Sequence, residues 1–441
     1  MPGVRADLER LVGIPSVAFP GFDHSHVQRS AEAVAELLKG AGLPDVAIVS
    51  TTAPDGTPGQ PAVIGRRPAP EGAPTVLLYA HHDVQPAGKT SDWEQDDPFE
   101  VVERDGRLFG RGAADDKAGV MAHVAALRAF GDDLPVGVTV FVEGEEEYGS
   151  ASLEKLIEEH KDELAADVIV IADSGNWDVG HPALTTSLRG LVNSYVEVRT
   201  STHAVHSGMF GGTVPDALTV LCRLMATLHD ENGDVAIPEL IRTPASPLDY
   251  PEERLRAEAG MLDGVEFIGT GRLVERMWTK PTATVLGIDA PGAQESANAL
   301  QPYARAKVSI RIAPGENDMQ AFEYLKKHLL AQNAWGAEVT VSLDQGGLPC
   351  VIDASGPSYD AARDAFAEAW DGVRPVDIGV GGSIPFIATF QEMFPQAAVL
   401  VTGVEDPDAR AHGPNESLHL GEFTRVCLAE AFLLRNLAPK N

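Results

Sequence analysis

The segment Tyr79-Ala80-His81-His82-Asp83 closes an apolar run, Thr75 to Ala80, with two imidazoles and a carboxylate. A buried strand does not ordinarily finish this way. A histidine two residues before an aspartate is the pattern of a metal ligand and its support, with the carboxylate accepting the free ring N–H. Three more apolar runs end in comparable clusters: Glu143-Gly144-Glu145-Glu146-Glu147, Ala172-Asp173 and Ala411-His412-Gly413. The pair Asp115-Asp116 follows Gly110-Arg111-Gly112 and opens a helix, where negative charge is favoured. Taken alone, that pair reads as a helix cap, and Glu143 to Glu147 reads as a solvated turn. Their convergence is what argues for chemistry. Imidazole and carboxylate donors suit zinc, and paired metals about 3.5–4 Å apart clamp attacking and leaving oxygens. Asp115 is the natural bridge. One of Glu146 and Glu147 can bind metal while its neighbour serves as a general base. The chemistry expected is hydrolysis.

These residues need elements that bring them together. In open parallel sheets, ligands bind beyond the carboxyl ends of the strands. Apolar runs predict strands at Pro61–Gly65, Thr75–Ala80, Gly137–Val142, Val168–Ala172 and Ala397–Thr402. Helical periodicity predicts helices at Gln28–Ala41, Asp116–Phe130, Ser152–His160 and Ser358–Trp370. Strands alternating with helices indicate a mostly parallel sheet covered on both faces. After Thr185 the character changes. Leu191–Arg199, Arg305–Ile312 and Glu338–Leu343 alternate polar with apolar, and Thr213–His229 and Met319–Gln332 read as helices. That is a small antiparallel sheet with helices on one side. The expected fold class is therefore α/β: a three-layer α/β/α catalytic domain from residues 1–188 and 349–441, with a smaller α/β lid domain, 189–348, inserted.

Composition narrows the partners. The 441 residues carry a net charge of −31, which argues against nucleic acid or an anionic membrane surface. Three scattered cysteines, Cys222, Cys350 and Cys427, form no CxxC pair, which fits a reducing cytoplasm. No segment reaches the roughly 18 apolar residues of a membrane span, and Met1 to Pro20 lacks a signal-peptide core. The expectation is a soluble cytoplasmic protein with no nucleic-acid or membrane partner. Gly88-Lys89-Thr90 mimics the end of a phosphate loop, but Asp83 stands where its first glycine is required. His82, His123, His229, His328 and His419 read as ordinary structural histidines.

Together, YAHHDVQP, GRGAADDKAG, EGEEEYGS, VIADSG and AHGPNE resemble the metal-site motifs of the zinc peptidase family of carnosinase, aminoacylase, acetylornithine deacetylase and succinyl-diaminopimelate desuccinylase. They run in the family's order and span nearly the whole chain. The resemblance implies His81, Asp115 and Asp173 on one zinc, and Asp115, Glu147 and His412 on the other. It implies Glu146 as general base, Asp83 as the partner of His81, and a cis peptide between Asp115 and Asp116. HSGMFGG, from His206, resembles the lid motif whose histidine reaches the partner subunit and steadies the oxyanion, which implies a homodimer through the lid. SIRIAPGE and GGSIP resemble elements that hold a substrate carboxylate, through Arg311, Gly382 and Ser383. These matches are similar to the dipeptidase branch, although Ala80 stands where glycine is common and Val380 where many dipeptidases carry an acid.

The reading is a metallohydrolase with two Zn2+ per chain, sites that Mn2+ or Co2+ can also occupy. It cleaves dipeptides or short peptides with a free C-terminal carboxylate, a metal-held hydroxide being the nucleophile. The alternative is a deacylase of N-acyl amino acids using the same site. A non-enzymatic scaffold is disfavoured, because no ligand and no base is lost.

Overall fold

The computed structural model describes residues 1–244, 247–382 and 385–439. The chain forms two compact units: Met1–Thr186 with Ile352–Ile378 and Pro385–Asn441, and Ser187–Val351 with Gly379–Ile384. The short stretch Gly379–Ile384 thus belongs to the second unit, whereas its sequence neighbours on both sides belong to the first.

The first unit is built on a sheet in which the strands run Asp45–Val49, Ala62–Arg67, Gly137–Glu143, Thr75–His81, Val168–Ile171, Ala398–Val401 and Ala183–Leu188. Its centre is parallel: Thr75–His81 pairs with Gly137–Glu143 on one side and Val168–Ile171 on the other, and Val168–Ile171 pairs with Ala398–Val401. The flanking pairings are antiparallel. The central strands are runs of Val, Ile, Leu and Phe because both of their faces are covered. Val76, Leu77, Leu78, Tyr79 and Ala80 are all fully buried. The helices fall into two groups. Pro2–Val12, Lys117–Phe130, Pro357–Ala369 and Leu420–Leu437 pack with one another, while Leu153–Glu159 contacts Pro385–Met393. Phe390 of that last helix packs on the rings of Tyr79 and Phe141. The result is the layered α/β class.

The second unit has a four-stranded antiparallel sheet ordered Thr282–Asp289, Tyr303–Ile312, Gly190–Arg199 and Glu338–Gly347. Helices Ala217–Ala226 and Asp318–Leu330 close one apolar core with it, through Val192, Val196, Leu221, Leu224, Val308 and Leu325. The first helix is shorter than Thr213–His229. Pro215 disfavours helical backbone before it, and the Asp216 side chain caps the helix by accepting from the Thr219 N–H. The strand Thr282–Asp289 has no counterpart in the alternating pattern. It is an edge strand whose residues after Ala283 are exposed, so no burial rhythm marks it.

Among the described residues, no helix is long and apolar enough to cross a membrane.

Candidate metal centre

Three of the chemistry-bearing segments sit at the carboxyl ends of adjacent parallel strands. His81 is the last residue of its strand, Glu146 and Glu147 follow Gly137–Glu143, and Asp173 follows Val168–Ile171. Asp115 enters from the loop before the helix Lys117–Phe130, and its peptide bond to Asp116 is cis. His412 does not follow a strand directly, as the apolar run before it had suggested. It lies well beyond Ala398–Val401, in a loop where Arg410, His412 and Asn415 all take positive φ, with His412 at +64°. The turn, rather than a strand end, aims its ring.

The donors fall into two groups, His81 with Glu146 and Asp173, and Asp115 with Glu147 and His412, each with its ligand atoms within 4.8 Å of one another. Asp115 faces both groups. Its Oδ1 lies 3.1 Å from His81 Nε2 and its Oδ2 lies 3.1 Å from His412 Nε2. Asp173 Oδ1 is 3.8 Å from His81 Nε2, and Glu147 Oε2 is 3.2 Å from His412 Nε2. The His81 ring donates from Nδ1 to the Asp83 carbonyl at 3.1 Å, which leaves Nε2 as its ligand atom.

The role of Asp83 is broader than support for His81. Its carboxylate lies 3.4 Å from His81 Nδ1, and it also accepts the backbone N–H groups of Glu146 and Glu147, at 3.1 Å each. One buried side chain therefore ties the strand that carries His81 to the turn that carries both glutamates. Gln85 holds Glu147 from another direction, through its backbone N–H at 3.0 Å and its side-chain amide at 2.6 Å.

Two further acids support the site, and neither was assigned a role of its own from the sequence. Glu416, fully buried, accepts from Arg111 at 2.6 Å and from the N–H groups of Gly112, Ala114 and Asp115 at 2.9, 2.9 and 3.0 Å. It shapes the loop that presents Asp115. Asp116 accepts the backbone N–H of His81 at 3.1 Å. It lies so close to Gly119 that a Cβ there would stand 2.2 Å from Asp116 Oδ1. The only available signals were the final acid of AHGPNE and the glycine three residues after Asp116.

The electrostatics describe a pocket short of positive charge. Burial and the charge of Asp173 hold Glu146 well above the usual carboxylate range. Burial and Asp115 push Glu147 up to about 7. Burial alone would discharge His81, yet hydrogen bonds to Asp115, Asp173 and Asp83 hold its proton well above the ordinary histidine value. Hydrogen bonds to Asp115 and Glu147 push His412 up to about 11. A divalent cation would relieve this crowding of negative charge. A donor set of carboxylates and imidazoles, with ring orientation fixed from behind, fits divalent ions of the zinc and manganese type.

The remaining candidate residues lie in the second unit. His206 is exposed, and its Nδ1 accepts the Gly208 N–H at 3.0 Å. A neutral ring then carries its proton on Nε2. Arg311 lies half-buried on the strand Tyr303–Ile312, and its guanidinium forms no hydrogen bond or ion pair among the described residues. Gly382 is partly buried, and Ser383 lies outside the described residues.

Residues 77–435 match the model of the peptidase family M20/M25/M40. The chain belongs to this family. It is accordingly an enzyme and a peptidase. It is 38% identical to a cysteinylglycine-S-conjugate dipeptidase of Corynebacterium striatum over 84% of this chain and 83% of that one. It is 31% identical to the Beta-Ala-His dipeptidase of Homo sapiens over 86% and 78% of the two chains. Among solved structures it superposes on a di-peptidase of Saccharomyces cerevisiae with a TM-score of 0.84 at 25% identity, covering 99% of this chain and 96% of that one.

Proposed function

We propose that this peptidase hydrolyses the peptide bond of dipeptides or short peptides with a free C-terminal carboxylate, using two divalent ions, zinc by preference. The observation that carries the reading is Asp115, whose two oxygens each meet one histidine of two separate donor groups at 3.1 Å. His81 and Asp173 would hold one ion and Glu147 and His412 the other, with Asp115 shared. Such a pair supplies Lewis acidity toward the scissile carbonyl and acidifies water.

The chain's own residues do the rest. Glu146 stands beside His81 and Asp173, where burial and the charge of Asp173 raise its affinity for a proton. It takes the proton of the attacking water and returns it to the leaving amine nitrogen. Asp83 keeps Glu146 in place through its backbone N–H. Arg311, with no acidic partner among the described residues, receives the substrate carboxylate in a charge-assisted, two-pronged contact, and Gly382 and Ser383 share that task.

The same reading includes a homodimer through the second unit, in which His206 donates from Nε2 to the oxyanion in the partner's site. Its support is the exposed edge strand bearing Leu286 and Ile288, at 55% and 43% exposure, since an apolar unpaired edge favours strand addition. A cytoplasmic setting is supported by the free cysteines Cys222, Cys350 and Cys427.

The deciding experiment pairs Glu146→Gln with metal analysis and a panel of dipeptides, tripeptides and N-acyl amino acids. The variant should keep two ions per chain and lose at least about 10²-fold in kcat. Near-normal turnover would remove Glu146 from the base role. Wild-type preference for N-acyl amino acids over dipeptides would make the chain a deacylase.

A further inference from the structure

In a protein with 65 acidic residues against 34 basic ones, a buried cation without an acidic partner stands out. Arg189 is one, at 9% exposure. Its guanidinium makes only long contacts to neutral oxygens: Nε to the Gly381 carbonyl at 3.4 Å, and Nη1 to the carbonyls of Arg276 and Lys280 at 3.4 Å and to Thr282 Oγ1 at 3.3 Å. Its Nη2 makes no hydrogen bond among the described residues. No carboxylate pairs with it there either.

Its surroundings locate it beside Arg311. In the antiparallel sheet, Thr282 and Leu191 are the register partners of Arg311 on its two sides. Cross-strand partners share a face, so the hydroxyl that Arg189 touches lies next to the Arg311 side chain. Two guanidinium groups thus lie close together with no side-chain carboxylate between them among the described residues. Burial, and after it the charge of Arg311, brings the proton affinity of Arg189 down to about 10. This placement is unfavourable unless a negative charge arrives.

Arg189 also shapes the turn that carries Gly382. Its backbone N–H donates to the Val380 carbonyl at 3.2 Å. A Cβ on Gly381 would stand 2.7 Å from Arg189 Nη2, and one on Gly379 would stand 2.7 Å from the Trp278 side chain. Glycine at 381 is what lets the backbone lie against the guanidinium, and glycine at 379 lets it lie against Trp278.

We propose that Arg189 is a specificity-determining residue, the second cation of the seat in which Arg311 holds the substrate's C-terminal carboxylate, and the positioning residue for the Gly379–Gly382 turn. It rests on the reading of Arg311 given above. Arg189 contributes its free Nη2 donor and its charge, so recognition depends on a pair of cations rather than on Arg311 alone.

The test compares wild type, Arg189→Met and Arg189→Lys on a good dipeptide and on its C-terminal amide, measuring kcat and KM separately. On the free acid, Arg189→Met should raise KM at least about tenfold, the scale of a charge-assisted contact, and Arg189→Lys should recover part of that loss. On the amide, Arg189→Met should lower kcat/KM clearly less than on the acid, because the partner of the charge is gone and only the positioning of the turn is lost. Inhibition by the free product amino acid should weaken in parallel with KM. Equal losses on acid and amide would overturn the proposal and leave Arg189 a purely structural residue. A Lys variant no better than Met would overturn the charge argument. Wild type that cleaves acid and amide equally well would instead refute the carboxylate anchor at Arg311 itself.

Discussion

Glu416→Gln isolates how much of the metal centre is held from behind. The two carboxylate oxygens of Glu416 divide four donors: Oε2 takes Arg111 Nη1 and the Gly112 N–H, and Oε1 takes the N–H groups of Ala114 and Asp115. Glutamine has the same shape but one oxygen. Whichever way its amide is turned, an NH2 group faces two donors that previously had an acceptor. If the oxygen stays with Arg111, the Ala114 and Asp115 amides are left unpaired. A buried donor left unpaired costs about 1–3 kcal/mol, so the pair costs roughly 2–6 kcal/mol. The opposite orientation strands the Arg111 guanidinium, 2% exposed, and breaking a buried pair in this way costs about 3–5 kcal/mol. Relaxation of the loop is the way to lower either cost, and that loop carries Asp115. The expected result is a lower urea midpoint together with metal binding weakened about 10–100-fold, the size typical for residues that support ligands. Titration calorimetry on the chelator-stripped protein reads the second quantity. A variant with unchanged midpoint and unchanged metal affinity would refute the claim that Glu416 sets the Asp115 loop.

Asp83→Asn should lower kcat about 10–100-fold, because one amide oxygen cannot serve the N–H groups of both Glu146 and Glu147; wild-type kcat would return Asp83 to a passive role. Zinc or manganese added to stripped protein should raise the melting temperature, a hundredfold excess over Kd contributing about 2.7 kcal/mol. Asp115→Asn should diminish that rise, and a full rise in this variant would deny the shared ligand. His123, buried between Glu430 at 2.8 Å and the Tyr79 carbonyl at 2.9 Å, is held above the ordinary histidine range because Glu430 outweighs the desolvation that lowers it. A folded value raised in this way contributes stability in full below about pH 6.5 and loses it as pH rises through the folded value. The gap in urea midpoint between wild type and His123→Gln should therefore be wider at pH 6 than at pH 9; a gap that widens with pH would reverse the assignment.

What could be read from the residues, and what could not, divides along a physical line. His81, Glu146, Glu147 and Asp173 were legible because each follows an apolar run in sequence, and parallel strands deliver their ends to one edge by topology alone. Asp115 was legible as a charge opening a helix. The acids that hold these groups from behind carry no comparable mark. Glu416 looks like any solvated acid, since its partners are backbone amides about three hundred residues earlier (Gly112, Ala114 and Asp115), and a backbone amide has no sequence signature. Asp116 read as a helix cap, yet its oxygen is spent on the His81 N–H. His412 looked like a strand end because hydrophobicity does not record φ, and its loop is fixed by positive-φ backbone instead.

Charge inverts the same lesson. In a chain of net charge −31, another carboxylate is the default and needs little explanation, and burial with mutual repulsion sets Glu146 and Glu147 apart by raising their affinity for protons. A cation is the rarer object, and most of the arginines in well-defined surroundings have found an acid: Arg111 with Glu416, Arg107 with Asp406, Arg363 with Asp377. Arg189 and Arg311 face no such partner among the described residues, although acids outnumber bases nearly two to one. Surfaces rich in acid would supply a counter-ion at little cost if structure alone were at stake. Two neighbouring guanidinium groups without a side-chain carboxylate among the described residues are the ground for the proposed seat, in which a peptide's C-terminus would supply the missing charge.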